Sequence, residues 1–127
     1  MSRTTEEAAR EFLATRKTLF LATTGADGRA HASYVPFVHN DDAFYVYTSA
    51  LSQHTQDMLL NSAVSVLLVG SVKTAKNLFA RERMTFPSRA VVVQRENAEW
   101  LVVMDFFAKD FGKSFALIRP LADFTLF

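Results

Sequence analysis

The chain has 127 residues, half of them hydrophobic and twelve of them phenylalanine, which suits one domain over 1–127 with a real core. Fourteen basic and thirteen acidic side chains leave a net charge of +1, which gives no reason to expect nucleic acid or an anionic membrane as a partner. The absence of cysteine excludes disulfides, thiolate metal sites and cysteine nucleophiles together.

The opening "MSRTTEEAAREFLATRK" is charged and helical, without the apolar centre of a signal peptide. No stretch approaches the roughly 20 apolar residues of a membrane span, so a cytoplasmic protein is expected. Thr4 or Thr5 caps this first helix, and Glu6, Glu7 and Glu11 favour its positive end. "KTLFLATTG" alternates as a strand, "ADG" turns, and "RAHASYVPFV" returns, with Pro36 arguing for an edge position or a bulge. "HNDDA" makes the next turn and "FYVYTS" a third strand. Ser52 reads as the N-cap of a short helix, "QHTQDMLLN". "AVSVLLVG", apolar almost throughout, predicts a strand buried on both faces. "FARERMTF" and "RAVVVQR" predict two strands parted by Pro87 and Ser88. Asn97 caps a long helix, "AEWLVVMDFFAKDF", which Gly112 terminates. "SFALIRPLADFTLF" predicts one or two closing strands. Together these elements describe a mostly antiparallel β-protein, barrel or sandwich, with helices at its margins.

The polar stretch "SALSQHTQDM" at 49–58 interrupts two apolar strands without glycine or proline. If Ser52 caps the helix, the N–H groups of Gln53, His54 and Thr55 converge at its positive end. Hydroxyls from Ser49, Ser52 and Thr55, with His54, then make a phosphate cradle; the plainer alternative is a cap and a wet helix start. Arg81 and Arg83 share a strand face and suit either an anion clamp or a solvated surface. In "RAHASYVPF", Arg29, His31 and Ser33 share a face that borders a planar ligand or is an ordinary outer face. His31, His39 and His54 lack close metal-ligand spacing, so no metal site is expected. No glycine-rich nucleotide loop, nucleophile elbow or general base presents itself, so the catalytic residues are unknown and hard chemistry would belong to a cofactor.

Taken in order, "LFLATTGADGRAHASYVPFV", "FYVYTSALSQHTQDMLLNSAVSVLLV" and "NLFARERMTF" resemble the pyridoxamine 5′-phosphate oxidase-like FMN-binding split-barrel superfamily. More narrowly they resemble its haem-utilisation (HugZ-type) branch. The resemblance implies a six-stranded antiparallel split barrel and a homodimer with FMN in a groove between subunits. It places the phosphate at Thr48, Ser49, Ser52, Gln53, His54 and Thr55 and the flavin ring along Ser33, Tyr34, Val35 and Pro36. Basic contacts fall to Arg81 and Arg83. The arginine–lysine pair of the oxidases is replaced here by Gln53 and His54, and their later pyridoxamine-phosphate segment has no counterpart, so pyridoxamine oxidation is not expected. The further C-terminal module of the haem branch has none either, which weakens haem degradation. The leading expectation is an FMN-dependent small oxidoreductase that passes electrons to a small-molecule substrate or acceptor. Haem binding or haem iron utilisation, deazaflavin in place of FMN, and a cofactor-free binding module stand beside it.

Overall fold

The computed structural model describes residues 4–127; the first three residues of the charged N-terminal stretch lie outside them. Helix α1 (Thr5–Thr15) begins where expected: Thr4 is extended, and the Glu7 N–H donates to its hydroxyl at 3.1 Å. Strand β1 (Thr18–Thr24) turns Leu19, Leu21 and Thr23 inward by simple alternation. Gly28, at φ +83°, closes the turn into β2 (Ala30–Pro36), a conformation that costs a side-chain-bearing residue more. The two strands pair in register from Thr18↔Pro36 to Thr24↔Ala30. Pro36 ends an edge strand, where its missing N–H breaks no ladder bond.

Strand β3 (Val38–Asn40) turns at Asp41 and Asp42, both at positive φ, into β4 (Ala43–Tyr45). The single third strand expected at "FYVYTS" is two: β4 pairs with β3, and β5 (Tyr47–Ser49) pairs with β8 (Phe124–Leu126). Val46 makes the transfer, exchanging both backbone hydrogen bonds with Phe127 at 2.9 and 3.0 Å. After α2 (Gln53–Leu60) comes β6 (Ala63–Val69), then β7 (Arg83–Arg89). The main sheet runs β2-β1-β6-β7, all antiparallel.

Three strand expectations are corrected. β6 buries Val66 and Leu68 on one face only, while Leu67 and Val69 on the other are half-exposed. β7 runs straight through Pro87, which sits opposite Ser65 on an edge strand and needs no break. Of "VVV" at 91–93, only Val93 bridges, to Leu126. Of the one or two strands expected over "SFALIRPLADFTLF", one forms, β8, and the part before it is the short helix α4 (Lys113–Ala116) and turns. Helix α3 (Ala98–Phe111) is as expected: the Glu99 N–H donates to the Asn97 side chain, and Gly112 ends it at φ +57°.

Two cores share the β4–β5 segment. Val46 points into one with Leu19, Leu21, Val66, Leu68, Met58 and Phe12; Tyr45 and Tyr47 point into the other with Trp100, Val103, Met104, Phe107 and Phe115. The segment buried on both faces is therefore this one, not β6. The architecture is mostly β with flanking helices; among the described residues the four-stranded sheet and two two-stranded sheets do not close into a six-stranded barrel.

Candidate functional site

A cleft of about 340 Å³ opens where the end of β2, strand β5, the start of α2 and the α3–α4 turn meet. One wall is built by strand ends and a helix start: Val35 and Pro36 from β2, Thr48 and Ser49 from β5, and Ser52 and His54 at the start of α2. The facing wall is aromatic. Phe107, Phe111 and Phe115 recur every four residues, so one stripe of α3 continues across Gly112 into α4. Phe107 and Phe115 stack with centroids 5.1 Å apart, and Tyr47 meets Phe115 at 5.6 Å and Phe124 at 5.1 Å.

This wall is held from behind. The Tyr47 hydroxyl donates to the Arg119 carbonyl at 2.9 Å. Arg95 donates to the Leu121 and Phe124 carbonyls, both at 2.9 Å, and its guanidinium lies 5.1 Å over the Trp100 ring. Those bonds pin the C-terminal segment that carries Phe124.

The polar wall is less free than its composition implies. Thr55 is fully buried and donates to the Thr48 hydroxyl at 2.7 Å. Ser49 Oγ accepts from the Leu51 N–H at 3.1 Å. Ser52 occupies the cap position by backbone conformation, yet its hydroxyl makes no capping bond. Gln53 turns its amide to Asp57 at 2.8 Å.

Asp57 is the residue that sequence reasoning missed. It is 1% exposed and accepts from the Thr23 hydroxyl at 2.7 Å and from Gln53, and it pairs with His31 Nδ1 at 2.7 Å. Burial alone would raise its carboxyl, but bonds from Thr23, Gln53 and His31 more than offset this and hold it below its ordinary value. The signal available in the sequence was helical spacing: Gln53 and Asp57 lie four apart on α2. Nothing local pointed to Thr23 and His31, which come from the β1–β2 hairpin.

His54 lines the cleft, and burial lowers its pKa despite the pull of Asp57 in the other direction. It is the one imidazole there and is neutral at neutral pH. The cleft thus gathers Val35, Pro36, Thr48, Ser49, Ser52 and His54 from the twelve expected residues. Tyr34 points outward, 62% exposed; Ser33 points inward with its hydroxyl buried and unpartnered. Gln53 and Thr55 are turned to Asp57 and Thr48. Arg81 and Arg83 lie elsewhere, Arg81 bonded to the Gly70 carbonyl and Arg83 to that of Arg81.

The sequence profile of the pyridoxamine 5′-phosphate oxidase family matches residues 5–127. A protein named heme oxygenase HutZ, from Vibrio cholerae serotype O1, is 38% identical over 122 residues, spanning 96% of this chain and 69% of that protein. A crystal structure of HutZ, described as the heme storage protein from Vibrio cholerae, superposes with a TM-score of 0.92 at 36% identity, covering 98% of this chain and 87% of the other. Campylobacter jejuni ChuZ shares the fold at a TM-score of 0.88 and 24% identity, with 99% of this chain and 53% of ChuZ covered. The expected FMN-dependent oxidoreductase is overturned by the two HutZ matches, whose names specify haem. The lining of the cleft agrees: among the described residues no arginine or lysine lines it, and a phosphate at the start of α2 would have the buried Asp57 carboxylate one turn on.

Proposed function

The chain belongs to the pyridoxamine 5′-phosphate oxidase family, and from that membership and the chemistry of its cleft we propose that it is a haem-binding protein of the haem-utilisation branch. The observation that carries this reading is the aromatic wall of Phe107, Phe111, Phe115 and Phe124 facing a single neutral imidazole, His54. A flat apolar macrocycle gains most from stacked rings, and a neutral imidazole offers its nitrogen lone pair to iron. Val35, Pro36 and the aromatic wall would hold the ring faces, His54 the metal side, and Thr48, Ser49 and Ser52 the polar edge. Bound haem would supply the redox chemistry that these side chains lack.

A homodimer is part of the proposal. Phe20 and Tyr34 are cross-strand partners on the outer face of the sheet and are 50% and 62% exposed, with Leu67 beside Phe20. A second copy would cover this face.

The direct test is titration of iron(III) protoporphyrin IX followed by its Soret absorption. A saturable, shifted band supports the proposal, and a band that grows as free haemin does removes it. A second reading, haem breakdown, rests on the relative named heme oxygenase. Adding a reductant in air to the loaded protein tests it: loss of the Soret band without protein loss supports breakdown, and a persistent band supports binding alone.

A further inference from the structure

The aromatic cleft adjoins a second cleft of opposite character. Pro36 and Phe111 line the first, whereas their chain neighbours Phe37 and Asp110 line the second, about 360 Å³ between α1, β3 and the end of α3. Arg10, Arg16 and His39 also line this second cleft. Lys17 lines neither cleft but contacts residues of both. Its amine lies 5.7 Å from the Phe111 ring centroid and donates to the Asp110 carbonyl at 3.3 Å, and its carbonyl accepts from the Phe37 N–H at 3.0 Å.

The charge balance there is positive. Arg10 is paired with Glu6 at 2.6 Å, but among the described residues no carboxylate comes within ion-pair distance of Arg16 or Lys17. Arg16 is fixed: Nη1 donates to the Val69 carbonyl at 3.3 Å and the guanidinium lies 5.2 Å over Phe12, while Nε is buried without a partner. Lys17 has spent one of three donors on the end of α3 and keeps two. The Asp110 side chain is the opposing charge in the cleft, which leaves the cations in excess.

An apolar cleft with a cation beside one of its lining rings fits a ligand with an apolar body and an acidic edge. Haem is such a ligand, with two carboxylates along one side of its ring. We propose that Lys17, backed by the fixed charge of Arg16, is the carboxylate-binding end of the haem site. This assignment rests on the haem reading above. Lys17 gives charge without a rigid fork, so it selects for an anion at the mouth of the cleft rather than for a particular carboxylate geometry.

The test compares iron(III) protoporphyrin IX with its dimethyl ester, in which both carboxylates are capped, titrated into the wild type, Lys17→Glu and Lys17→Met. The wild type should hold the free acid roughly tenfold tighter than the ester, the strength of one charge-assisted bond. Both variants should lose that preference while keeping wild-type affinity for the ester. Lys17→Met keeps an unbranched side chain of similar length without the charge, so its loss of preference reports charge rather than packing, and it decides the matter if the glutamate variant fails to fold. Equal affinity of the wild type for acid and ester, or an undiminished preference in the methionine variant, overturns the assignment and leaves haem binding standing. Binding of neither porphyrin removes the haem reading and this site with it.

Discussion

Asp57 is the buried charged side chain among the described residues. A carboxylate 1% exposed is tolerable only because the Thr23 hydroxyl, the Gln53 amide and His31 all reach it. Replacing it with alanine strands those groups and should cost about 2–4 kcal/mol in urea unfolding. The pH dependence has a definite sign. Because the folded carboxyl sits below its ordinary 3.8, its contribution is complete above that value and is lost as pH falls through the folded value. Asp57→Asn should therefore flatten the acid limb of the stability curve, and an unchanged limb would contradict this role. His54 makes a second residue-scale prediction. Burial lowers its pKa below 6.5, so the loss of haem affinity on acidification should be centred below pH 6.5. An affinity loss centred at 6.5 or above would mean that the imidazole is not buried in the cleft.

At the scale of elements, what was legible was what local chemistry decides. The Thr4 and Asn97 caps, the Gly28 turn and the Gly112 stop each follow from one or two residues, and each is present. Gly112→Ala should cost about 1 kcal/mol in thermal or urea unfolding, since φ +57° disfavours any Cβ; no space constraint adds to this, because nothing lies within 4 Å of a Cβ there. What failed was what partners decide. "VVV" at 91–93 has strand propensity but meets only Leu126 through one bridge, and Pro87 looked like a break because its edge position was not visible locally. The site divides the same way. Its polar wall was legible as a hydroxyl–histidine cluster, and the Phe107–Phe111–Phe115 stripe was legible as helix but not as a wall, since the wall exists only where α3 docks beside β5.

At the scale of the whole molecule, the sheet packs two ways. Its inner face closes on Leu19, Leu21, Val66 and Leu68, while Phe20, Tyr34 and Leu67 leave the outer face incompletely covered. A charge at Phe20 touches nothing in the inner core, so Phe20→Glu should convert a dimer to a monomer in sedimentation velocity with little change in unfolding midpoint. A wild type that sediments as a monomer at micromolar concentration would refute the dimer. The central claim is that the cleft between β2, β5, α2 and α3 holds haem through its aromatic wall and His54. Absorption titration of iron(III) protoporphyrin IX into the wild type and His54→Ala tests it most directly. The account predicts a shifted Soret band that saturates at about one haem per chain in the wild type, and a displaced or weakened band in the variant. A titration in which the wild type gives only the spectrum of free haemin, without saturation, would contradict it.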